Sequence, residues 1–316
     1  MCSPAARESR HRNYRYKVRA TRARPILLTP RDLRILAAVH RYRVLHRGQV
    51  AWLFFAGVDD EGSSARRRLN LLYQHGYLER IPRFVSPPNN NPGPAYRLAQ
   101  RGAVELALRQ GMPHSNFNYW GKSEDRDSHR SRIGHAHLEH SLLLADIRMT
   151  FERQAEAAGA QIVTWADHFD LIPSWKSERV TVPVSANGVE ENLAVAPDGY
   201  FVLQTQKGKG HFFLEADRGT ETIGQQWKRK ILAYQAYLTS GKFHQRYHVN
   251  EHTGFRVLTI TLSAARAVNL HQAANTFASP ESAGLFLFTS WPEARDAILT
   301  DAWWWRGGVS GRQALL

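Results

Sequence analysis

Gly62-Ser63-Ser64-Ala65-Arg66-Arg67-Arg68-Leu69-Asn70-Leu71-Leu72-Tyr73-Gln74-His75-Gly76 reads as one helix bounded by two glycines. Ala65, Leu69, Leu72 and Tyr73 recur at helical spacing and predict a buried face. Arg66, Arg67, Asn70 and Gln74 then point the other way, with Arg68 on the flank. Ser63 or Ser64 is the expected N-cap.

The flanking sequence supplies the rest of this unit. Thr29-Pro30-Arg31-Asp32 opens a helix that runs to about residue 43, with Thr29 as N-cap and Pro30 at the first helical position. A second helix covers about 47–55 and ends at Gly57. After Gly76, residues 77–81 alternate as a strand. The turn formers 86–94 lead to a second strand at 95–98, and a helix over 100–110 closes the unit. Three helices, a hairpin and a helix form the order of a winged helix-turn-helix.

Charge points to the partner. The chain of 316 residues has a formal net charge of +14. Residues 1–112 hold 21 Lys/Arg and 7 Asp/Glu, the whole of that excess, and the remainder holds 21 of each. So one-sided a distribution is the footprint of a polyanion ligand. No basic amphipathic helix with an aromatic face argues for a membrane, and no apolar run reaches the length of a membrane span. The partner expected is double-stranded DNA, with a homodimer as an open option. Arginine and asparagine on such a helix are the types that read guanine and adenine edges. Ser64, Arg66, Arg67, Arg68 and Asn70 are therefore the candidate DNA-binding residues of the helix. Arg80 and Arg83 on the hairpin join them, with the Asn89-Asn90-Asn91 tip reaching the backbone or minor groove. Cys2 is the single cysteine, which suits a reducing cytoplasm, and a DNA partner there implies a nucleoid-associated protein.

The organisation expected is a basic disordered tail over 1–25, a winged-helix domain over 26–112, a polar linker over 113–132 and an α/β domain over 133–316. The tail, with Arg12 among its eight basic residues, is a candidate phosphate-contacting arm. In the last domain a helix over 135–158 precedes strands at 162–168, 200–205 and 212–217, a helix over 224–238, a strand at 255–263, a helix to about 278 and a strand at 285–290. The stretch between, with Pro173 and Pro183, reads as a gap. Such alternation implies a sheet flanked by helices, so the fold class as a whole is α+β. Trp303-Trp304-Trp305 is a candidate docking anchor.

Pro197-Asp198 precedes one strand and Glu215-Ala216-Asp217 ends the next. Residues two apart share a strand face, and a hairpin turn at Lys207–Gly210 places 215 opposite about 202 and 217 opposite about 200. Asp198, Glu215 and Asp217 then converge and repel unless a cation shares them. Hard oxygen ligands suit Mg2+ or Mn2+, which can orient water toward a phosphodiester. The spacing and element order resemble the PD-(D/E)xK motif and the restriction-endonuclease-like core around it. Asp217 stands where that motif has a lysine. Lys228 or Lys230 from the following helix is the substitute, Lys230 flanking the stripe Trp227, Ile231, Tyr234 and Leu238 more closely. Asp198, Glu215, Asp217 and Lys230 are the candidate catalytic residues, the three carboxylates the candidate metal ligands, and Glu139 a weaker one. His135, His137 and His140 are expected to be solvated or capping.

Both halves together resemble the replication-relaxation family. The resemblance rests on Leu28-Thr29-Pro30-Arg31-Asp32, Ala65-Arg66-Arg67-Arg68-Leu69, and Tyr96-Arg97-Leu98 with Arg101-Gly102-Ala103. It rests most specifically on 212–221, Phe-Phe-Leu-Glu-Ala-Asp-Arg-Gly-Thr-Glu, followed by Tyr234 and Tyr237. It implies a DNA transaction of a plasmid or other mobile element, in replication or its control. Two functions stay open: a non-catalytic DNA-binding protein acting as initiator, accessory factor or repressor, and a metal-dependent DNA endonuclease targeted by its winged helix.

Overall fold

The computed structural model describes residues 26–57, 62–83, 93–117, 119, 135–171, 178–183, 190–301 and 304–316. It divides into two units, Met1–Leu138 and Glu139–Leu316. The basic tail with Arg12, the Asn89–Asn91 tip, most of the 113–132 segment and Trp303 lie outside the described residues.

The first unit runs α1 (Pro30–Arg41), β1 (Leu45–His46), α2 (Arg47–Phe54), α3 (Ser63–Gln74), β2 (Leu78–Ile81), β3 (Ala95–Leu98) and α4 (Gln100–Gln110). Thr29 and Asp32 form a capping box at α1, Asp32 Oδ2 accepting from the Thr29 backbone N–H at 2.6 Å. The α3 cap differs from expectation. Gly62 holds that position in the left-handed region at φ 63, and Ser63 is already helical, so the chain is turned by backbone freedom instead of a serine hydroxyl. Ala65, Leu69, Leu72 and Tyr73 are buried as their spacing requires, as are Ile35, Leu36, Val39 and Val50. The hairpin β2–β3 pairs antiparallel with Leu78 opposite Leu98. The two-residue β1 adds to its edge, giving the order β1-β3-β2 of a winged helix. The expected linker begins with packed residues: Phe117 is buried, its ring 4.8 Å from that of His40.

The second unit opens within α5 (His135–Ala157) and continues with β4 (Gln161–Asp167) and the short α6 (His168–Leu171). Strands β5 (Glu178–Pro183) and β6 (Glu190–Val195) form a separate hairpin where a gap was expected. Next come β7 (Gly199–Thr205), β8 (Gly208–Asp217), a π-helical turn at Ile223–Trp227, α7 (Lys228–Thr239), α8 (Lys242–Tyr247), β9 (Arg256–Thr261) and α9 (Ala264–Phe277). The short α10 (Pro280–Ala283), β10 (Phe286–Ser290), the short α11 (Trp291–Ala294), β11 (Trp304–Arg306) and β12 (Arg312–Gln313) complete it. The main sheet has the order β12-β11-β10-β9-β8-β7-β4. β4, β7 and β8 are antiparallel neighbours, and β9 and β10 run parallel to β8.

Period-2 alternation divides β8 between two cores. Phe212, Leu214 and Ala216 pack with Leu143, Ile147 and Phe151 of α5. Phe213 packs on the other side with Trp227 of the π-helical turn, Ile231 and Tyr234 of α7 and Leu270 of α9. Tyr237, not Leu238, completes the buried stripe of α7. Trp304 is an internal anchor: fully buried, its indole N–H donates to the Ile298 carbonyl at 2.8 Å.

The β7–β8 register departs from expectation by four residues. The turn is tighter, with Thr205 paired to Gly208, so Leu214 faces Gly199. The Thr205 hydroxyl accepts from the Lys207 N–H at 3.1 Å and holds the two-residue turn closed. Glu215 therefore arrives level with Asp198, four residues from the position of about 202 expected to face it.

Candidate functional site

On α3, Arg66, Arg67 and Asn70 are exposed and fall within about 100° of helical arc. Arg67 Nη2 donates to Ser64 Oγ at 3.2 Å. Arg80 on β2 donates to Asn70 Oδ1 at 2.6 Å, which ties the hairpin to the exposed face of the helix. Its guanidinium lies 4.3 Å from the Tyr73 ring centroid and 5.9 Å from that of Tyr96. Burial pushes the Tyr96 hydroxyl pKa up, with Arg80 working against it. Arg83 lies two residues past β2.

Arg68 leaves this set. It pairs with the fully buried Asp32 and so bolts α3 to the start of α1. Burial raises the Asp32 carboxyl, but hydrogen bonds from Arg68 and Thr29 outweigh it and leave the pKa below the ordinary value. The helical spacing of Arg68 gave no sign of this partner 36 residues away. Asp32→Ala is expected to destabilise the first unit by about 2–3 kcal/mol, from the lost cap and the lost charged hydrogen bond. The loss stays moderate because Arg68 is a quarter exposed and can hydrate. Thermal unfolding checks it, and a loss under about 0.5 kcal/mol contradicts the role of the pair.

Two residues not singled out from sequence extend the basic face. Arg31 and Arg34, exposed on the first turn of α1, line a groove with Phe55, Ser64 and Arg67. Arg31 stacks 4.8 Å over Phe55. Their i, i+3 spacing on α1 was the available signal.

In the second unit, Asp198 sits before β7 and ties three elements. Its Oδ2 accepts from the Ala216 N–H at 2.8 Å, and its Oδ1 accepts from His140 Nε2 on α5 at 2.9 Å. Glu215, buried on β8, accepts from Lys230 Nζ at 2.9 Å and from the Tyr234 hydroxyl at 2.5 Å. Lys230 also reaches Glu221 at 3.0 Å and lies 5.1 Å over the Trp227 ring. Asp198, Glu215 and Lys230 are thus brought together, and Lys230 is indeed the lysine that α7 presents.

Asp217 does not join them. Arg266 of α9 takes both of its carboxylate oxygens and also donates to the Glu221 carbonyl at 2.6 Å. The repulsion among three acids, which suggested a shared metal, is relieved by the protein's own cations. Among the described residues no group of three or more potential ligands is placed to hold a metal ion. His140 is the residue that sequence reading passed over: it is a partner of Asp198, not a solvated or capping side chain. His135, the first residue of α5, has no described side chain.

These contacts move the titrations apart. Burial lowers the His140 pKa, but the Asp198 hydrogen bond and the charges of Asp198 and Glu215 outweigh it, so the net shift is upward. Burial likewise raises Asp198, yet His140, the Ala216 N–H and Lys230 bring it below its ordinary value. Glu215 is raised by burial and by the Asp198 charge, against the pull of Lys230 and Tyr234. A raised histidine contributes fully below its unfolded pKa of about 6.5, and that contribution is lost as pH rises through the folded value. A lowered aspartate contributes above about 3.9, and the raised Glu215 favours the acid side as well. The unit is expected to melt highest at about pH 4–6.5 and to weaken toward pH 8. His140→Gln should flatten that slope, and an unchanged slope in calorimetry would contradict the pairing.

Comparison with known proteins finds one family and one solved structure. The solved structure of a mutant MarR from E. coli complexed with operator DNA is similar over 27% of this chain and 55% of its own, at 20% identity and a TM-score of 0.22. The chain thus spans about half the length of that neighbour. No curated protein matches. No helix among the described residues is long and apolar enough to cross a membrane. Residues 36–253, from within α1 to beyond α8 and more than half of the chain, match the replication-relaxation family. The chain belongs to that family.

Proposed function

We propose that this protein binds double-stranded DNA by laying α3 into the major groove, with the β2–β3 hairpin beside it. It does so as a non-catalytic factor of a plasmid or other mobile element, in replication, its control or transcriptional regulation. The observation that carries the reading is the exposed arc of Arg66, Arg67 and Asn70, with Arg80 fixed to it and Arg31 and Arg34 alongside. Donor side chains on a supported helix, in the part of the chain that carries the whole net charge, suit phosphates and base edges. Such a protein is nucleoid-associated. The test is retardation of a labelled duplex by the full chain, with single-stranded DNA as competitor. Duplex binding that resists the competitor supports the reading; binding to neither strand form sinks it.

A second reading, a DNA endonuclease of PD-(D/E)xK type, is favoured by one specific contact: Lys230 Nζ lies 2.9 Å from Glu215 Oε2. The order α5, β4, β7, β8, α7, β9, with Asp198 and Glu215 at adjacent strand ends, resembles that core. Asp198 and Glu215 offer hard oxygens with lone pairs to spare and fit Mg2+ or Mn2+; Asp217, held by Arg266, does not. A cation there would supply water activation. Lys230 would stabilise charge developing on the phosphate. If this reading holds, Mg2+ or Mn2+ raises the melting temperature and nicks plasmid, and Asp198→Asn removes both effects. Intact plasmid and no shift in melting retire it, and the acids are then a structural ion network.

A further inference from the structure

At the end of the β7–β8 hairpin away from Asp198 lies a cavity of about 650 Å3. It belongs wholly to the second unit and shares no residue with the acidic cluster or the α3 face. Leu203, Phe212 and Leu315, all from the core beneath α5, supply its apolar lining. β8 starts four residues before β9 joins it. The parallel pairing begins at Phe212 with Arg256, so 208–211 have a strand neighbour on the β7 side alone. The notch beside them has the volume of a small-molecule site.

The charge of the cavity is the second observation. Lys207, Lys209 and Arg256 line it, and no Asp or Glu side chain is among the lining residues. Elsewhere in the unit cations meet carboxylates: Arg148 with Glu152, Lys230 with Glu215, Arg246 with Glu178, Arg312 with Glu293. Arg256 differs. It is half-buried, yet among the described residues its guanidinium has neither a hydrogen-bond acceptor nor an ion-pair partner. Burial and the charge of Arg306 push its pKa below the ordinary arginine value, a strain that a bound anion would relieve. Phe212, its register partner on β8, sets an apolar ring beside the charge.

A phosphomonoester carries close to two negative charges and three acceptor oxygens, where a carboxylate carries one charge and two oxygens. It can therefore engage an arginine fork and a lysine ammonium together. We infer that this cavity binds a phosphomonoester with a flat apolar body, a nucleoside monophosphate in size, its phosphate shared by Arg256 and Lys209 and its body laid on Leu203 and Phe212. The inference does not depend on how α3 meets DNA.

The experiment is calorimetric titration of the full chain, at constant ionic strength, with AMP, phenyl phosphate, adenosine and inorganic phosphate. The better of the two phosphomonoesters should bind one to one. It should bind about tenfold or more tighter than adenosine, which lacks the phosphate, and than inorganic phosphate, which lacks the body. Arg256→Met keeps the apolar stem and should weaken that binding about tenfold or more. Lys209→Gln, at an exposed position, should weaken it as well. Arg66→Ala/Arg67→Ala should leave it unchanged, which separates the cavity from the basic first unit. Having no partner to lose, Arg256→Met should melt no lower than the unaltered protein. Binding of neither phosphomonoester overturns the inference, as does binding that survives Arg256→Met. Inorganic phosphate or adenosine bound as tightly, or binding lost with Arg66 and Arg67, overturns it too.

Discussion

Arg266→Ala is expected to destabilise the second unit by about 3–5 kcal/mol, because it strands a buried carboxylate. Asp217 is 3% exposed and Arg266 19%, so neither charge can turn to water without rearrangement. The arginine also donates to the Glu221 carbonyl, and its loss leaves that group short of a donor. Asp217→Asn alone should cost less, since a neutral amide tolerates burial better than a charge. Combining Arg266→Met with Asp217→Leu should recover most of the loss, the pair being replaced by packed apolar volume. Denaturant unfolding of the four proteins measures these losses. A cost under about 1 kcal/mol for Arg266→Ala would mean that Asp217 is hydrated and not locked by the pair.

The other large effect is the salt dependence of DNA affinity. Each phosphate neutralised contributes about −0.9 to the slope of log affinity against log salt. If Arg31, Arg34, Arg66, Arg67 and Arg80 all act on phosphates, the slope approaches about −4.5, a loss of roughly 500-fold between 50 and 200 mM salt. Contacts from residues 1–25 would steepen it further. A flat salt profile, measured by fluorescence anisotropy of a labelled duplex, would mean that the basic excess of the first third does not face the DNA.

What the sequence disclosed follows a physical division. Elements marked by local signals were legible: the Thr29-Pro30-Asp32 cap of α1, the bounds of β3 and α4, and the buried stripe of α3. Period and punctuation act within one turn or one strand, so they survive in the chain itself. Features set by distant partners were not legible. Nothing in the spacing of Arg68, Arg266 or His140 announces Asp32, Asp217 or Asp198, at separations of 36, 49 and 58 residues. The β7–β8 register turned on whether the chain reverses at Gln206-Lys207 or two residues later, and a lysine-glycine run permits either. The β5–β6 hairpin was hidden by Pro183, which ends an edge strand without preventing it. At the acidic cluster, Asp198, Glu215 and Lys230 were named correctly as neighbours. The expected register nevertheless set Glu215 opposite about 202 and Asp217 opposite about 200, and Arg266 holds Asp217 apart from the other two acids.

The central claim is that the exposed arc of α3 is the DNA-binding surface, and one comparison tests it most directly. Affinity of the full chain for a duplex is measured as a function of salt, beside the double variant Arg66→Ala/Arg67→Ala. Both arginines are exposed, and neither belongs to the buried core, so the variant should melt as the unaltered protein does. The account expects weaker duplex binding and a slope shallower by about 1.8, two contacts' worth. Equal affinity and equal slope for the two proteins would contradict it.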